Sequence, residues 1–272
     1  MSLESNIFLY NDCSVNVRNL CDLLSKYIEY GSDLYIEFNL SSFGNIHPDI
    51  KTREQLASNI FLAFSEVSGP DATILIPSFT FSWGENSDCI FDMNSQTHLG
   101  LMPNWFLLQE YVDRSYDPMY SVLVKGKSSK FYSRKTFNSF GSDSVFAKLH
   151  EANAKLIGFG LNFFDPTFIH YVEQFFDEKS TKINYRYLKE FFGKIKINNE
   201  ISSLQSHKCF VRNTDFKFNS NYEKLSDELR INNALIEAKF CESSIYISDS
   251  CSVFDIVISK LEKNPHYFIT TV

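Results

Sequence analysis

The chain has 272 residues, enough for one large domain or two small ones, with a net charge of -7 and a pI near 5.4. That balance argues against nucleic acid and against an anionic membrane surface as partners, and no basic run exceeds a few residues. No apolar stretch approaches 18 residues and the N-terminal apolar run is short, bracketed by Asn6 and Asp12, so neither a transmembrane segment nor a secretory leader is expected.

Cysteines stand at 13, 21, 89, 209, 241 and 251, none in C-x-x-C spacing. The expectation is no metal, free thiols and a reducing cytoplasm. Cys89 has no basic or histidine neighbours in sequence that would activate it as a nucleophile. Aromatics make up 16% of the chain, with 27 Phe and 14 Tyr. Most belong in a core, and a surplus would suit an apolar cleft or a subunit interface, so a homodimer is compatible with the composition.

Val15 to Tyr30 has helical periodicity, with Leu20, Leu23, Leu24 and Ile28 on one side, and Gly31-Ser32-Asp33 ends it. Leu34 to Leu40 reads as a strand, followed by Ser41-Ser42-Phe43-Gly44. Thr52 opens a helix running to about Val67, and Thr73 to Ile76 is a short buried strand closed by Pro77. The stretch from Ser78 to Asn104 is long and polar, but Phe79, Phe81, Trp83 and Phe91 favour an ordered binding loop. A helix is expected from Asn104 to Tyr111, then an irregular segment from Arg114 to Val122. Ser144 caps a helix to Glu151, and Lys155 to Gly160 is a buried strand. Beyond Glu173, short Lys-rich strands mix with helix as far as about Ile247, and Cys251 to Asn264 is an amphipathic helix with Val253, Ile256, Val257 and Leu261 inward. Strands alternating with helices predict an α/β fold: a central mixed sheet flanked by helices, with additional strands and helix in the C-terminal part. No repeat or linker divides it, so residues 1–272 are read as one domain.

The segment 156–174 is the most informative. After the strand, a helix opens at Asp165-Pro166-Thr167 and carries Thr167, His170 and Glu173 at spacings of three. Such residues share one helix face. They sit at the carboxyl end of a strand, where open α/β sheets bind ligands. A carboxylate one turn from a histidine fixes its tautomer, as a general base requires. The spacing alone also fits a solvated helix face or a histidine satisfied in the core.

Four further segments precede this helix in a fixed order. They are Ile36-Glu37-Phe38-Asn39-Leu40-Ser41-Ser42-Phe43-Gly44, Ile74-Leu75-Ile76-Pro77-Ser78-Phe79-Thr80, Arg114-Ser115-Tyr116-Asp117-Pro118-Met119-Tyr120-Ser121 and Asn138-Ser139-Phe140-Gly141-Ser142-Asp143-Ser144. Tyr185-Arg186 trails the helix. Together, over roughly residues 15 to 265, they resemble the aminoglycoside 3-N-acetyltransferase family, the antibiotic N-acetyltransferase fold. That family reads His-Ser-Ser-Leu, Arg-Ser-x-His-Pro-x-His-Ser, Phe-Gly-x-x-Ser and Thr-x-x-His-x-x-Glu. Here Glu37 stands at a histidine, Asn39 at a serine, and Asp117 and Tyr120 at the two histidines of the Arg-Ser loop.

The resemblance implies acyl transfer from a coenzyme A thioester, used as co-substrate with no metal, to an amine. It makes His170 the base and Glu173 its orienter, with Glu37 a ligand for the acceptor or a second base, or else a paired structural carboxylate. The retained Leu40, Ser41, Ser42, Arg114, Ser115, Ser121 and Thr167 imply an intact donor side. The Leu40-Ser41-Ser42 turn would present N–H groups to thioester or pantetheine, or be a plain turn. Arg114 would bind a phosphate or pair with Asp117. On the acceptor side, Asp117 and Tyr120 shape the pocket or simply pack, and Phe79, Phe81 and Trp83 stack on a base or sugar ring or join the core.

Because the acceptor-side motifs have changed, the favoured acceptor is a nucleotide-linked amino deoxysugar, such as a dTDP sugar, used for a surface glycan such as O-antigen. Aromatic stacking and a cation such as Arg114, Arg186 or Lys125 would hold the nucleotide. The alternative enzyme is an aminoglycoside 3-N-acetyltransferase conferring antibiotic resistance. An alternative of another class is a non-catalytic binding protein on the same fold.

Overall fold

The computed structural model describes residues 2–86, 88–179, 183–197 and 199–271. It begins with a hairpin of β1 (Asn6–Tyr10) and β2 (Cys13–Asn16). Asn11 and Asp12 turn it at φ of 51° and 61°, the left-handed backbone that tight hairpins need. The expected helix over 15–30 is therefore shorter. Val15 is in β2, and α1 runs Val17–Leu24, started by reciprocal hydrogen bonds between Asn16 and Asn19. β3 (Leu34–Phe38) leads into a 3₁₀ turn over Leu40–Phe43, then β4 (Asn45–Ile46). α2 (Arg53–Ser68) starts where Thr52 accepts the Gln55 N–H, and β5 (Thr73–Pro77) follows. The expected loop 78–104 holds a 3₁₀ turn at Phe81–Gly84 and β6 (Ile90–Asp92). α3 covers Leu101–Phe106, earlier and shorter than expected. β7 (Asp113–Arg114) and β8 (Val122–Gly126) form an antiparallel pair where only irregular chain was expected. Next come α4 (Ser129–Tyr132), α5 (Val145–Glu151, capped by Ser144), β9 (Lys155–Phe159) and α6 (Ile169–Lys179). The remainder is β10 (Arg186–Ile197), β11 (Glu200–Ile201), β12 (Gln205–Arg212), β13 (Phe218–Ser220), α7 (Glu223–Ile231), β14 (Ile236–Phe240), β15 (Ser243–Asp249), α8 (Ser250–Lys263) and β16 (Ile269–Thr271).

A seven-stranded mixed sheet runs in the order β14-β15-β9-β3-β5-β8-β7. β3 is parallel to both β9 and β5, and the outer strands are antiparallel to their neighbours. Side chains alternate across a strand, and this splits the core in two. Leu34, Ile36, Ile74 and Ile76 pack on one face with α1, α2 and α3. Tyr35, Leu75 and Leu156 pack on the other with α5, α6 and α8. Because β9, β3 and β5 are parallel, their carboxyl ends open on one edge, which therefore gathers Glu37, Phe38, Pro77 and the chain after Phe159.

That edge is welded by the 3₁₀ turn. The Asn39 N–H donates to Phe159 O at 2.8 Å, and Ser42 Oγ reaches Gly160 O at 2.7 Å and Asn39 O at 2.9 Å. Gly160 sits at φ 80°, where a Cβ would lie 2.3 Å from Asn39 O, so only glycine permits the approach. A second layer is the β10–β12 ribbon, to which β6 adds in parallel at Lys194 to Lys196. Among the described residues no helix is long and apolar enough to cross a membrane.

Candidate active site

α6 carries its polar groups into the edge described above. His170 Nδ1 lies 2.9 Å from Glu173 Oε2, and Glu173 is fully buried. The carboxylate can only accept, so the imidazole proton belongs on Nδ1, and the Nε2 lone pair accepts the Arg186 Nη2 N–H at 3.4 Å. The Tyr185 hydroxyl donates to Glu173 Oε1 at 3.0 Å. Arg186 Nε lies 3.0 Å from Glu173 Oε2, an ion pair with off-line geometry. The Arg186 Nη2 group donates to Tyr222 Oη at 3.2 Å and stands 3.4 Å from His170 Nε2. Phe140 and Tyr222 wall the imidazole, with ring centroids 5.5 and 5.9 Å away.

Charge follows from these contacts. Burial and then the Arg186 cation push the His170 pKa below its ordinary value, against the pull of Glu173. The imidazole is thus neutral at pH 7. Burial alone would raise Glu173, but Arg186, His170 and Tyr185 outweigh it and hold the carboxyl below its usual range.

Glu37, at the end of β3, forms the second part. Its Oε1 accepts from the Tyr35 hydroxyl at 3.1 Å and from the Thr167 N–H at 3.0 Å. Thr167 thus joins β3 to the start of α6, one turn before His170. Burial raises the Glu37 pKa, partly offset by the bonds from Thr167 and Tyr35.

Asp165 belongs here too, though sequence reading took it only as a helix start. Burial first and the Glu37 charge second push its carboxyl up to about 7. A carboxyl raised in the folded state favours folding while protonated. That contribution is full below the unfolded value of 3.8 and is lost as pH rises through about 7. Thermal melts of Asp165→Asn and wild type should therefore diverge between pH 4 and 8, the variant gaining in Tm as pH rises. A constant difference would show that Asp165 does not titrate in this range.

The remaining expected site residues divide. Phe79, Phe81 and Tyr120 form one ring cluster beside the site, with centroids 4.8 to 5.8 Å apart, and Tyr120 continues to Phe140 at 4.7 Å. Trp83 does not line the cleft. It is buried under Gly193 and donates Nε1–H to Lys194 O at 2.9 Å. Asp117 turns inward as well. Its Oδ1 accepts the Met119 and Tyr120 N–H groups at 2.8 Å and the Ser139 hydroxyl at 3.2 Å, and lies 3.3 Å from His207 Nε2.

Arg114 neither pairs with Asp117 nor faces solvent. Its N–H groups reach Ser121 Oγ, Ser95 O, Met93 O, Ser78 O and Thr80 Oγ1 at 2.7 to 3.2 Å. A guanidinium has five N–H donors, so a phosphate would have to displace one of these bonds. Ser121 Oγ donates to Ser78 O at 2.6 Å, and Ser115 Oγ accepts the Val122 N–H at 2.9 Å. Ser41 Oγ donates to Asn39 Oδ1 at 2.7 Å, while Ser42 Oγ is engaged by Asn39 O and by Gly160 O beyond the turn. Among the described residues no group of three or more His, Cys, Asp or Glu converges to hold a metal ion.

Structurally, the chain is similar to AAC-IIIb solved as a binary complex with CoASH, at TM-score 0.74 and 16% identity over 92% of this chain and 97% of that one. It is similar to the apoenzyme of the aminoglycoside acetyltransferase AAC(3)-IVa, at TM-score 0.71 and 16% identity over 93% and 90%. A third similar structure is the YokD protein from Bacillus subtilis, at TM-score 0.74 and 16% identity over 92% and 94%. At such identities the likeness speaks for the fold alone. No curated protein sequence matches the chain. The family model for aminoglycoside 3-N-acetyltransferase matches residues 41–262. With that match over most of its length, the chain belongs to the aminoglycoside 3-N-acetyltransferase family, whose reaction is acyl transfer to an amine.

Proposed function

We propose that the protein transfers an acyl group from a coenzyme A thioester to an amino group of an aminoglycoside-class amino sugar, with His170 as general base. The observation that carries this is the partly buried imidazole whose Nδ1 meets the Glu173 carboxylate at 2.9 Å, the contact that assigns its proton to Nδ1 and makes Nε2 the basic nitrogen. A CoASH complex of a protein with the same fold supports the donor class. The amine nitrogen attacks the thioester carbonyl carbon, and a C–N bond forms as an amine proton passes to His170 Nε2. The tetrahedral intermediate then expels coenzyme A thiolate, which takes that proton from the imidazolium. A neutral His170 is the form this step requires, and Glu173 steadies the imidazolium that forms between the two transfers.

The acceptor reading moves away from the nucleotide-linked sugar favoured by sequence. Of the groups meant to hold a nucleotide, Trp83 is buried, Arg114 is bonded to internal oxygens and Arg186 is paired with Glu173. Glu37 and Asp165 are carboxyl groups at the site besides Glu173, and the chain carries -7 overall, which suits a polycationic acceptor that would favour their charged forms. The names of the structural neighbours, aminoglycoside acetyltransferases, point the same way. The test is thiol release from acetyl-CoA with kanamycin-class aminoglycosides and with dTDP-linked amino sugars in parallel. Turnover of the aminoglycosides is expected. Turnover of nucleotide sugars alone would restore the first reading.

A further inference from the structure

We propose that Arg186 is a catalytic residue of the acyl transfer: its guanidinium donates to the thioester carbonyl oxygen and holds the charge of the tetrahedral oxyanion. This rests on the acyltransferase reading above and names the group that meets the negative charge formed in its first step.

Arg186 opens β10, and its guanidinium spans the His170–Glu173 pair. Nε stands 3.0 Å from Glu173 Oε2. Nη2 lies 3.4 Å from His170 Nε2 and 3.2 Å from Tyr222 Oη. The side chain is 11% exposed, so these contacts hold it in place. Nη1 makes no hydrogen bond among the described residues and, unlike Nε, is not sealed from solvent.

A cation beside a base weakens the base. Burial and Arg186 both lower the His170 pKa, and the imidazole alone gains nothing from that. The charges of the reaction supply the reason. Before attack Glu173 is negative, Arg186 positive and His170 neutral, so the cluster is balanced. Transfer of the amine proton makes His170 an imidazolium and leaves the carbonyl oxygen as an oxyanion. Glu173 then pairs with the imidazolium, and Arg186 is the cation that remains for the oxyanion. Without Arg186 the same cluster would carry a net negative charge as the oxyanion forms. In a partly buried site such an imbalance raises the barrier.

Hydrogen bonding follows the same sequence. Nη2 carries two N–H groups, one directed to Tyr222 Oη and one to His170 Nε2. Once Nε2 takes the amine proton it no longer accepts. The N–H aimed at it loses its partner as the oxyanion appears. That oxygen is joined through one carbon to the attacking nitrogen, which must itself come within hydrogen-bond reach of Nε2. It therefore forms within a few ångströms of Nη2. The rigid fork of a guanidinium leaves Nη1 as a second donor in the same plane. Donors already in place require no reorganisation during the reaction.

The experiment is the pH dependence of the single-turnover rate constant for coenzyme A release from acetyl-CoA, with a kanamycin-class aminoglycoside as acceptor. Wild type, Arg186→Gln and Arg186→Lys are compared, with donor affinity measured by calorimetry. Above the acid limb His170 is deprotonated in all three, so the plateau no longer reports its protonation. If Arg186 only tuned His170, its loss would leave a stronger base and an equal or higher plateau. If it holds the oxyanion, Arg186→Gln should lower the plateau by about a hundredfold or more, the usual scale for such a donor. Its acid limb should move to higher pH, and coenzyme A affinity should stay within about twofold, because the contact is made in the transition state. Arg186→Lys keeps the charge but not the fork, so its limb should stay near that of wild type while its plateau falls about tenfold or more. A plateau at or above the wild-type value in folded Arg186→Gln overturns the proposal and leaves the acyltransferase reading standing. If that variant does not fold, a wild-type plateau in Arg186→Lys overturns it equally. Absence of coenzyme A release by the wild type with every acceptor would instead remove the acyltransferase reading, and this inference with it.

Discussion

His170→Ala should lower kcat by about a hundredfold or more, the usual scale for loss of a general base. It should leave coenzyme A affinity within about twofold, because donor binding does not need the proton transfer. Single-turnover kinetics and calorimetry check the two halves. A folded variant that binds both substrates and keeps most of the wild-type rate, with chemistry limiting, would move the role to Glu37. The pH profile adds a second test. The base works deprotonated, so kcat/KM rises with pH through the His170 pKa. Burial and Arg186 hold that pKa below the ordinary 6.5, so the acid limb should lie below 6.5. Arg186→Gln removes the cation 3.4 Å from Nε2, and the limb should then move to higher pH. Glu173→Gln is more damaging than a lost orienting charge would suggest. Glu173 is fully buried and also holds Arg186 and Tyr185, so the change strands a buried cation and should destabilise the fold as well.

The parts of the fold visible in sequence are those whose information is local. β3, β5 and β9 are apolar runs bounded by turn residues, α2 and α5 have side-chain caps, and α8 has an apolar face that can be read directly. The β1–β2 hairpin was legible in principle from Asn11-Asp12, but the helical periodicity beginning at Val15 masked it. β10 is different. Tyr187, Leu188, Lys189 and Glu190 are all exposed, so no inside–outside alternation marks the strand. The His170–Glu173 pair was readable because helix geometry is fixed by spacing, whereas Thr167, expected on the same helix face, stands in the turn before α6, which begins at Ile169 and not at 165–167. The partners of these residues were not, since Tyr185 and Arg186 come from beyond the helix and Glu37 from a strand 130 residues earlier. The raised pKa of Asp165 comes first from burial and then from that same distant carboxylate. Residue type also misleads where function and scaffold use the same groups. Arg114, Asp117 and Trp83 look like ligand-binding residues, yet each is consumed by backbone groups of its own fold.

Arg114→Met should therefore be a stability mutant. Arg114 is 6% exposed and is pushed down to about 10 by burial, with only the Asp92 charge acting to raise it. It is held by backbone oxygens of Ser78, Met93 and Ser95 and by the Ser121 and Thr80 hydroxyls. These contacts pin the 78–104 segment, including β6, against the β7–β8 pair. Methionine fills much of the volume but satisfies none of the acceptors. An abandoned buried acceptor costs about 1–3 kcal/mol, so a loss of about 3 kcal/mol or more is expected once several are left together. For a chain of this size that corresponds to a Tm lowered by roughly 6–12 °C. Arg114→Lys keeps the charge but offers a single nitrogen in place of the fork, so it should recover only part of the loss. The decisive comparison is coenzyme A binding at a temperature where the methionine variant is folded. Unchanged affinity, measured by calorimetry, agrees with a guanidinium whose donors all face inward. A tenfold or greater loss of coenzyme A affinity in the folded variant would show that Arg114 leaves its internal acceptors to meet a phosphate.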